Sequence, residues 1–168
     1  MAEMIDIYDE NRNKTGITLP RKTKLVKGQF MLYVIALIEN EKGEFLVTQR
    51  TMDKKWAAGH WEIPGGGAAA GETSFEAVCR EVREETGLDV TACEPKVIYS
   101  YRNEDLEHGD NYFTDIYLLH KDFELSEVKV EPHEVQTVKM ADFEEIKRLN
   151  REIGFLHYKR ICEALNRE

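Results

Sequence analysis

The reading of this chain turns on Gly71–Gly87, GETSFEAVCREVREETG, which carries five glutamates and two arginines. Thr73 and Glu76 have the spacing of a capping box, and Gly87 suits the left-handed position that closes a helix, so the stretch predicts a helix over about 74–86. Phe75, Val78, Cys79 and Val82 recur at i, i+3, i+4 and i+7, which gives that helix one apolar face for packing on a sheet. Glu81, Glu84 and Glu85 gather beside this face. Like charges three or four positions apart stand about 5–6 Å from each other and cost roughly 0.2–0.5 kcal/mol per pair, and carboxylates in a last turn also oppose the helix dipole. An acidic helix face taken alone is usually just solvated. Local rules broken this densely mark a functional site, and the natural compensation for clustered carboxylate oxygens is a hard divalent cation such as Mg²⁺.

Composition narrows the function classes. With 168 residues, 42% apolar and 33% charged, the chain has enough material for one globular domain with a real core. Its net charge of −9 argues against sequence-independent binding to nucleic acid or to anionic membrane, both of which need a cationic surface. Cys79, Cys93 and Cys162 are odd in number and lack C-x-x-C spacing, so neither a disulfide framework nor a zinc site is indicated. No apolar run reaches the roughly 18 residues of a membrane span, and MAEMIDIYDE is too acidic for a signal peptide. The expected home is the cytoplasm.

Around the helix the pattern is mostly strand. Residues 4–8 alternate weakly and DENRNKTG supplies turn chemistry, so residues 1–28 read as an N-terminal hairpin or extension ahead of a core over 29–168. QFMLYVIALI (29–38) and FLVTQ flank the turn ENEKGE and read as a central hairpin. Further strands are expected at 96–102, 112–120 and 133–140, with helices at 142–149 and near 155–166. Strands on both sides of a helix, followed by helices, predict an α/β fold with a mixed sheet covered on two faces.

Gly66, Glu72, Arg80, Glu81, Val82, Glu84, Glu85, Gly87 and Leu88 fill every position of G-x5-E-x7-R-E-U-x-E-E-x-G-U, where U is aliphatic. In this the chain resembles the Nudix hydrolases, whose signature this is. Seven fixed residues at about 6% usage each match by chance on the order of 10⁻⁹ per starting position. The resemblance implies the family's α/β/α sandwich and hydrolysis of a diphosphate joined to another moiety, by water attack at phosphorus with Mg²⁺ or Mn²⁺. It further implies that Glu84 and Glu85 are metal ligands, that Glu81 is a ligand or the general base, and that Arg80 orients Glu81. The Gly65 carbonyl meets metal in similar proteins, and Glu72 takes a structural or secondary metal role. Intact boxes also occur in proteins that only bind ligand, so a non-catalytic nucleotide or metabolite sensor is the second class of reading. Turnover of any diphosphate separates the two.

A neighbouring family, the isopentenyl diphosphate isomerases, is similar in the layout of DIYDENRNKTG, GEFLVTQR and HW. Its members carry a catalytic cysteine where this chain has Gly66 and use upstream histidines, whereas the first histidine here is His60. Isomerase activity is therefore not expected.

Trp56 and Trp61 bracket AAGH ahead of the glycines and are candidates to stack on a base, with plain packing as the equal alternative. Arg50, Lys54 and Lys55 precede the box in a loop where similar hydrolases hold substrate phosphate, which makes Arg50 the candidate, with solvated lysines as the default. Similar hydrolases often supply a further metal ligand from beyond the box, and of Glu127, Glu131 and Glu134 the expected one is Glu134, then Glu131, with a solvated surface charge as the equal alternative. Arg12, Lys14, Arg21, Lys22, Lys24 and Lys27 form a basic island with no acid between them, suited to an anionic substrate, to a partner subunit as in a homodimer, or simply to solvent.

Overall fold

The computed structural model describes residues 3–168; Met1 and Ala2, the first two residues of the expected extension, lie outside the described residues. Strands β1 (Met4–Tyr8) and β2 (Lys14–Pro20) pair as an antiparallel hairpin. The main sheet holds β3 (Met31–Glu39), β4 (Phe45–Arg50), β5 (Trp61–Glu62), β6 (Gly65–Gly67), β7 (Val97–Asn103), β8 (Tyr112–His120) and β9 (Val135–Ala141). Along it the order is β5-β4-β3-β8-β7, with β6 on β3 and β9 on β4. Only β3 and β8 run parallel, in register from Met31 opposite Tyr112 to Glu39 opposite His120, so the sheet is mixed.

Three helices cover this sheet: α1 (Ser74–Thr86), α2 (Phe143–Glu152) and α3 (Tyr158–Leu165). Period-2 alternation in β3 sends Leu32, Val34, Ala36 and Ile38 to the core shared with Val78 and Val82 of α1. Ile35 and Leu37 point to the opposite core, with Ile146 and Leu149 of α2 and Ile161 of α3. The outcome is an α/β/α sandwich. Val78 and Val82 are fully buried, each contributing about 1.5–3 kcal/mol relative to an exposed position. A third core joins the hairpin's Ile5 and Ile7 to Leu25 and Met31.

The expected central hairpin needs correction. β3 and β4 meet only at Glu39 and Phe45, next to the turn, and then diverge. Beyond that point β4 pairs with β5 and β9, while β6 lies against β3 and the Ala36 N–H donates to the Pro64 carbonyl at 2.8 Å. Gly65 makes the close approach possible, because a Cβ there would collide with the Val34 carbonyl and with Ile35. The short strands β5 and β6 were not expected from the sequence. They bring the glycines to the open gap between β3 and β4.

Candidate active site

Helix α1 begins where the capping box places it. The Thr73 hydroxyl accepts from the Glu76 N–H at 3.1 Å, and the Glu76 carboxylate accepts from the Thr73 N–H at 3.2 Å. Such a cap is worth about 1 kcal/mol. At the other end Gly87 takes φ 76° and its N–H closes on the Arg83 carbonyl. The apolar face therefore fixes the rotation of α1, and that rotation turns Glu81 and Glu85 inward toward the glycines.

Each charged residue of the box has a defined partner. Arg80 Nε donates to Glu72, Nη1 donates to Glu81 Oε1 at 2.9 Å and to Glu84 at 3.2 Å, and Nη2 donates to the Gly67 carbonyl at 3.0 Å. Glu72 also accepts from the Ala69 N–H, so it braces the loop and Arg80 together. Glu81 is buried, and a Cβ at Gly66 would stand 2.5 Å from its carboxyl carbon. That position has no room for the cysteine of the isomerase layout. Glu85 accepts a single hydrogen bond, 3.0 Å from the Gly65 N–H. Burial first, then the neighbouring Glu81, Glu62 and Glu84, push its carboxyl up to about 8 against the pull of that N–H. Burial likewise raises Glu81, with Arg80 opposing.

Six carboxylates, those of Glu62, Glu81, Glu84, Glu85, Glu131 and Glu134, line one cavity of about 260 Å³. Such an oxygen-rich set suits a hard divalent cation. Among the described residues no three of them converge as a ready-made cage, because Arg80 and the Gly65 N–H hold the box carboxylates apart. Glu134 comes to this cavity from 49 residues beyond Glu85 in sequence and is ion-paired with Lys54.

A second cavity of about 330 Å³ opens on the other side of Gly65 and Gly66, walled by Tyr33, Trp56, Asp110, Tyr112 and His157. Glu62 lines both cavities. The sequence reading missed this residue; its signal is an isolated acid between Trp61 and Ile63, just before the glycines. Burial raises Glu62, offset by Arg50, whose Nη1 is 3.7 Å away. Arg50 also stands 5.3 Å from the Trp56 ring centroid, and its buried Nε has no hydrogen-bond partner among the described residues. Trp56 is 64% exposed at the cavity mouth. Trp61 does not join it: it is 5% exposed, packed in the α2–α3 core with Lys139 over its ring, and lines neither cavity. Its apolar bulk explains its place, and a base-stacking role does not fit.

The NUDIX domain matches residues 29–161. An uncharacterized Nudix hydrolase of Listeria monocytogenes is 33% identical over 162 residues, which cover 96% of this chain and 92% of that protein. In three dimensions the chain is similar to a Deinococcus radiodurans protein of known crystal structure, with a TM-score of 0.74, 19% identity, and coverage of 96% and 99%. It is also similar to a MutT Nudix hydrolase from Burkholderia pseudomallei, with a TM-score of 0.64, 25% identity, and coverage of 83% and 98%. With the domain matched over most of its length and the signature carried on a capped helix beside a glycine strand, the chain belongs to the Nudix hydrolases, enzymes that cleave acid anhydrides.

Proposed function

We propose that this protein hydrolyses the diphosphate linkage of a nucleoside diphosphate derivative, with Mg²⁺ or Mn²⁺ held by Glu81, Glu84 and Glu85, the Gly65 carbonyl and Glu134. The observation that carries this reading is the adjacency of the two cavities, one lined by carboxylates and one by aromatic rings, with the glycine strand and Glu62 between them. The donor set fits the cation. Burial and mutual repulsion leave Glu85 short of positive charge, and all the side-chain donors are oxygens. When bound, the cation would neutralise phosphate charge and acidify a water molecule.

The chain's own residues supply the rest. Gly65 and Gly66 let the diphosphate approach the backbone, and the Tyr33, Trp56 and Tyr112 wall takes the organic moiety. Arg50, which lines the carboxylate cavity beside Glu62 and Trp56, binds phosphate there. Arg80 holds Glu81 Oε1, which leaves Oε2 to accept the proton of the attacking water. The core over residues 29–168 carries this chemistry, and the described part of the extension, residues 3–28, braces it.

Incubation with a panel of nucleoside diphosphate derivatives, dinucleotides and other organic diphosphates, with and without Mg²⁺, tests the reading. Phosphatase-coupled release should appear for at least one compound and vanish with chelator. No release from any compound, or release indifferent to chelator, would overturn it.

A further inference from the structure

The β1–β2 hairpin grips the segment that leads into α1. The Met4 carbonyl accepts from the Ala70 N–H and the Asp6 carboxylate accepts from the Gly71 N–H, each at 2.8 Å. Just past β2, Arg21 reaches over the glycine strand. A Cβ built on Gly67 would stand 3.1 Å from Arg21 Nη2 and 3.3 Å from Cζ, and Gly67 is the register partner of Tyr33. The guanidinium thus lies on the Tyr33 face of β3, one residue along the glycine strand from Gly66, and Tyr33 and Gly66 both line the aromatic cavity.

Of the other cations here, Arg80 and Lys54 are engaged and Arg50 serves elsewhere. Arg80 is occupied by Glu72, Glu81, Glu84 and the Gly67 carbonyl, Lys54 is paired with Glu134, and Arg50 sits at the far side beside Glu62 and Trp56. Arg21 pairs with Glu3 at 2.8 Å, and both side chains are more than a third exposed, so this contact is weak and exchangeable. Burial disfavours the Arg21 charge, but Glu3 and then Tyr33 and Glu81 more than restore it.

We propose that Arg21, supplied by the N-terminal hairpin, is a substrate-binding residue that holds the phosphate next to the organic moiety, taking it in place of Glu3. The inference rests on the diphosphate reading above and deepens it: the basic island delivers one fixed cation to the site rather than a diffuse charge. A planar guanidinium can grip phosphate through two N–H groups, which an ammonium cannot reproduce.

The test is equilibrium binding of ADP and of inorganic pyrophosphate, by calorimetry with Mg²⁺, to the full chain and to Arg21→Gln, Arg21→Lys and Glu3→Gln, each first checked by thermal unfolding. The expected result is about tenfold weaker ADP binding in Arg21→Gln, an intermediate value in Arg21→Lys, and tighter binding in Glu3→Gln, which loses the competing carboxylate. If Arg21→Gln does not fold, the lysine and Glu3 variants still decide. ADP affinity indifferent to Arg21, or Glu3→Gln weakened instead of strengthened, would make the pair a brace and overturn the inference. So would a wild-type chain that binds neither probe. Turnover that is lost in Glu85→Gln, with ADP affinity indifferent to Arg21, sinks this inference and keeps the proposed hydrolysis. Arg21-dependent ADP binding in a chain that turns over no diphosphate does the reverse.

Discussion

At the N-terminal end of α1 the buried Asp115 carboxylate takes four hydrogen bonds: two from Arg12 at 2.7 and 2.5 Å, one from Ser74 at 2.5 Å and one from Ser100 at 2.7 Å. At the C-terminal end Glu85 takes one, and its other neighbours include three acids. Burial works to raise both groups. At Asp115 the donors win and hold the carboxyl below the usual carboxylate range; at Glu85 burial and repulsion win and push it up to about 8. One anion is completed by the fold and the other is left incomplete. The first arrangement locks the hairpin to the core, because Arg12 sits at the hairpin turn with φ 64°. The second exposes an unmet demand for positive charge, which a ligand can answer.

The comparison breaks most visibly if the incomplete end is not functional. Glu85→Gln and Glu81→Gln should each cut turnover roughly 10²-fold or more while the metal-free protein stays folded, since burial already disfavours the charged form of both carboxyls. Mg²⁺ at about ten times its dissociation constant should raise the wild-type unfolding temperature by several degrees, from about 1.4 kcal/mol of linkage. That shift should shrink in Glu85→Gln. A large loss of metal-free stability in both variants would show these glutamates to be structural.

Asp115→Asn probes the completed end. Removing the charge leaves Arg12 partly unpaired and should cost about 2–3 kcal/mol in urea unfolding; this sits at or below the low end for a broken buried pair because the Arg12 side chain is 34% exposed. The Asp115 contribution is fully present above the unfolded carboxylate value of about 3.9 and is lost as pH falls through its lower folded value. The stability gap between wild type and Asp115→Asn should therefore narrow as unfolding is repeated from pH 6 down to pH 3. A gap that widens on acidification would reverse the assignment.

The smallest effect is expected outside α1. Glu134→Gln should raise the Mg²⁺ concentration for half-maximal rate only a few-fold, because Glu134 is already paired with Lys54 and is 61% exposed. If Glu131→Gln shifts that concentration and Glu134→Gln does not, Glu131 is the distal ligand. If neither does, the site closes without one.

Both ends of α1 differ in how far the sequence reveals them. The helix was legible because Thr73, Glu76 and Gly87 act within a turn of their own positions, and β8 was legible because its apolar run is bounded by Asn111 and Lys121. Strands of two or three residues carry no period, so β5 and β6 were hidden, and with them the splaying of β3 from β4. Glu81, Glu84 and Glu85 are neighbours in sequence and could be read together. Glu62 joins them only through the turn at Pro64, and Asp115 meets Arg12 across 103 residues, beyond any local pattern. Trp61 misled for the related reason that a tryptophan beside a glycine loop is written the same way whether it faces a ligand or the core.

That long reach from Arg12 to Asp115 also bears on the order in which the chain assembles. β1 and β2 can close on each other as soon as Pro20 is made, since loop closure over so short a span is fast. The hairpin's docking partner, however, lies on β8, whose parallel pairing with β3 joins Met31 to Tyr112 across a wide gap in sequence. Such non-local pairing is slow to form. The hairpin's contacts with Leu25, Met31, Ala70 and Gly71 lie nearer in sequence, so the Arg12–Asp115 lock is the last of its attachments for which the growing chain supplies a partner.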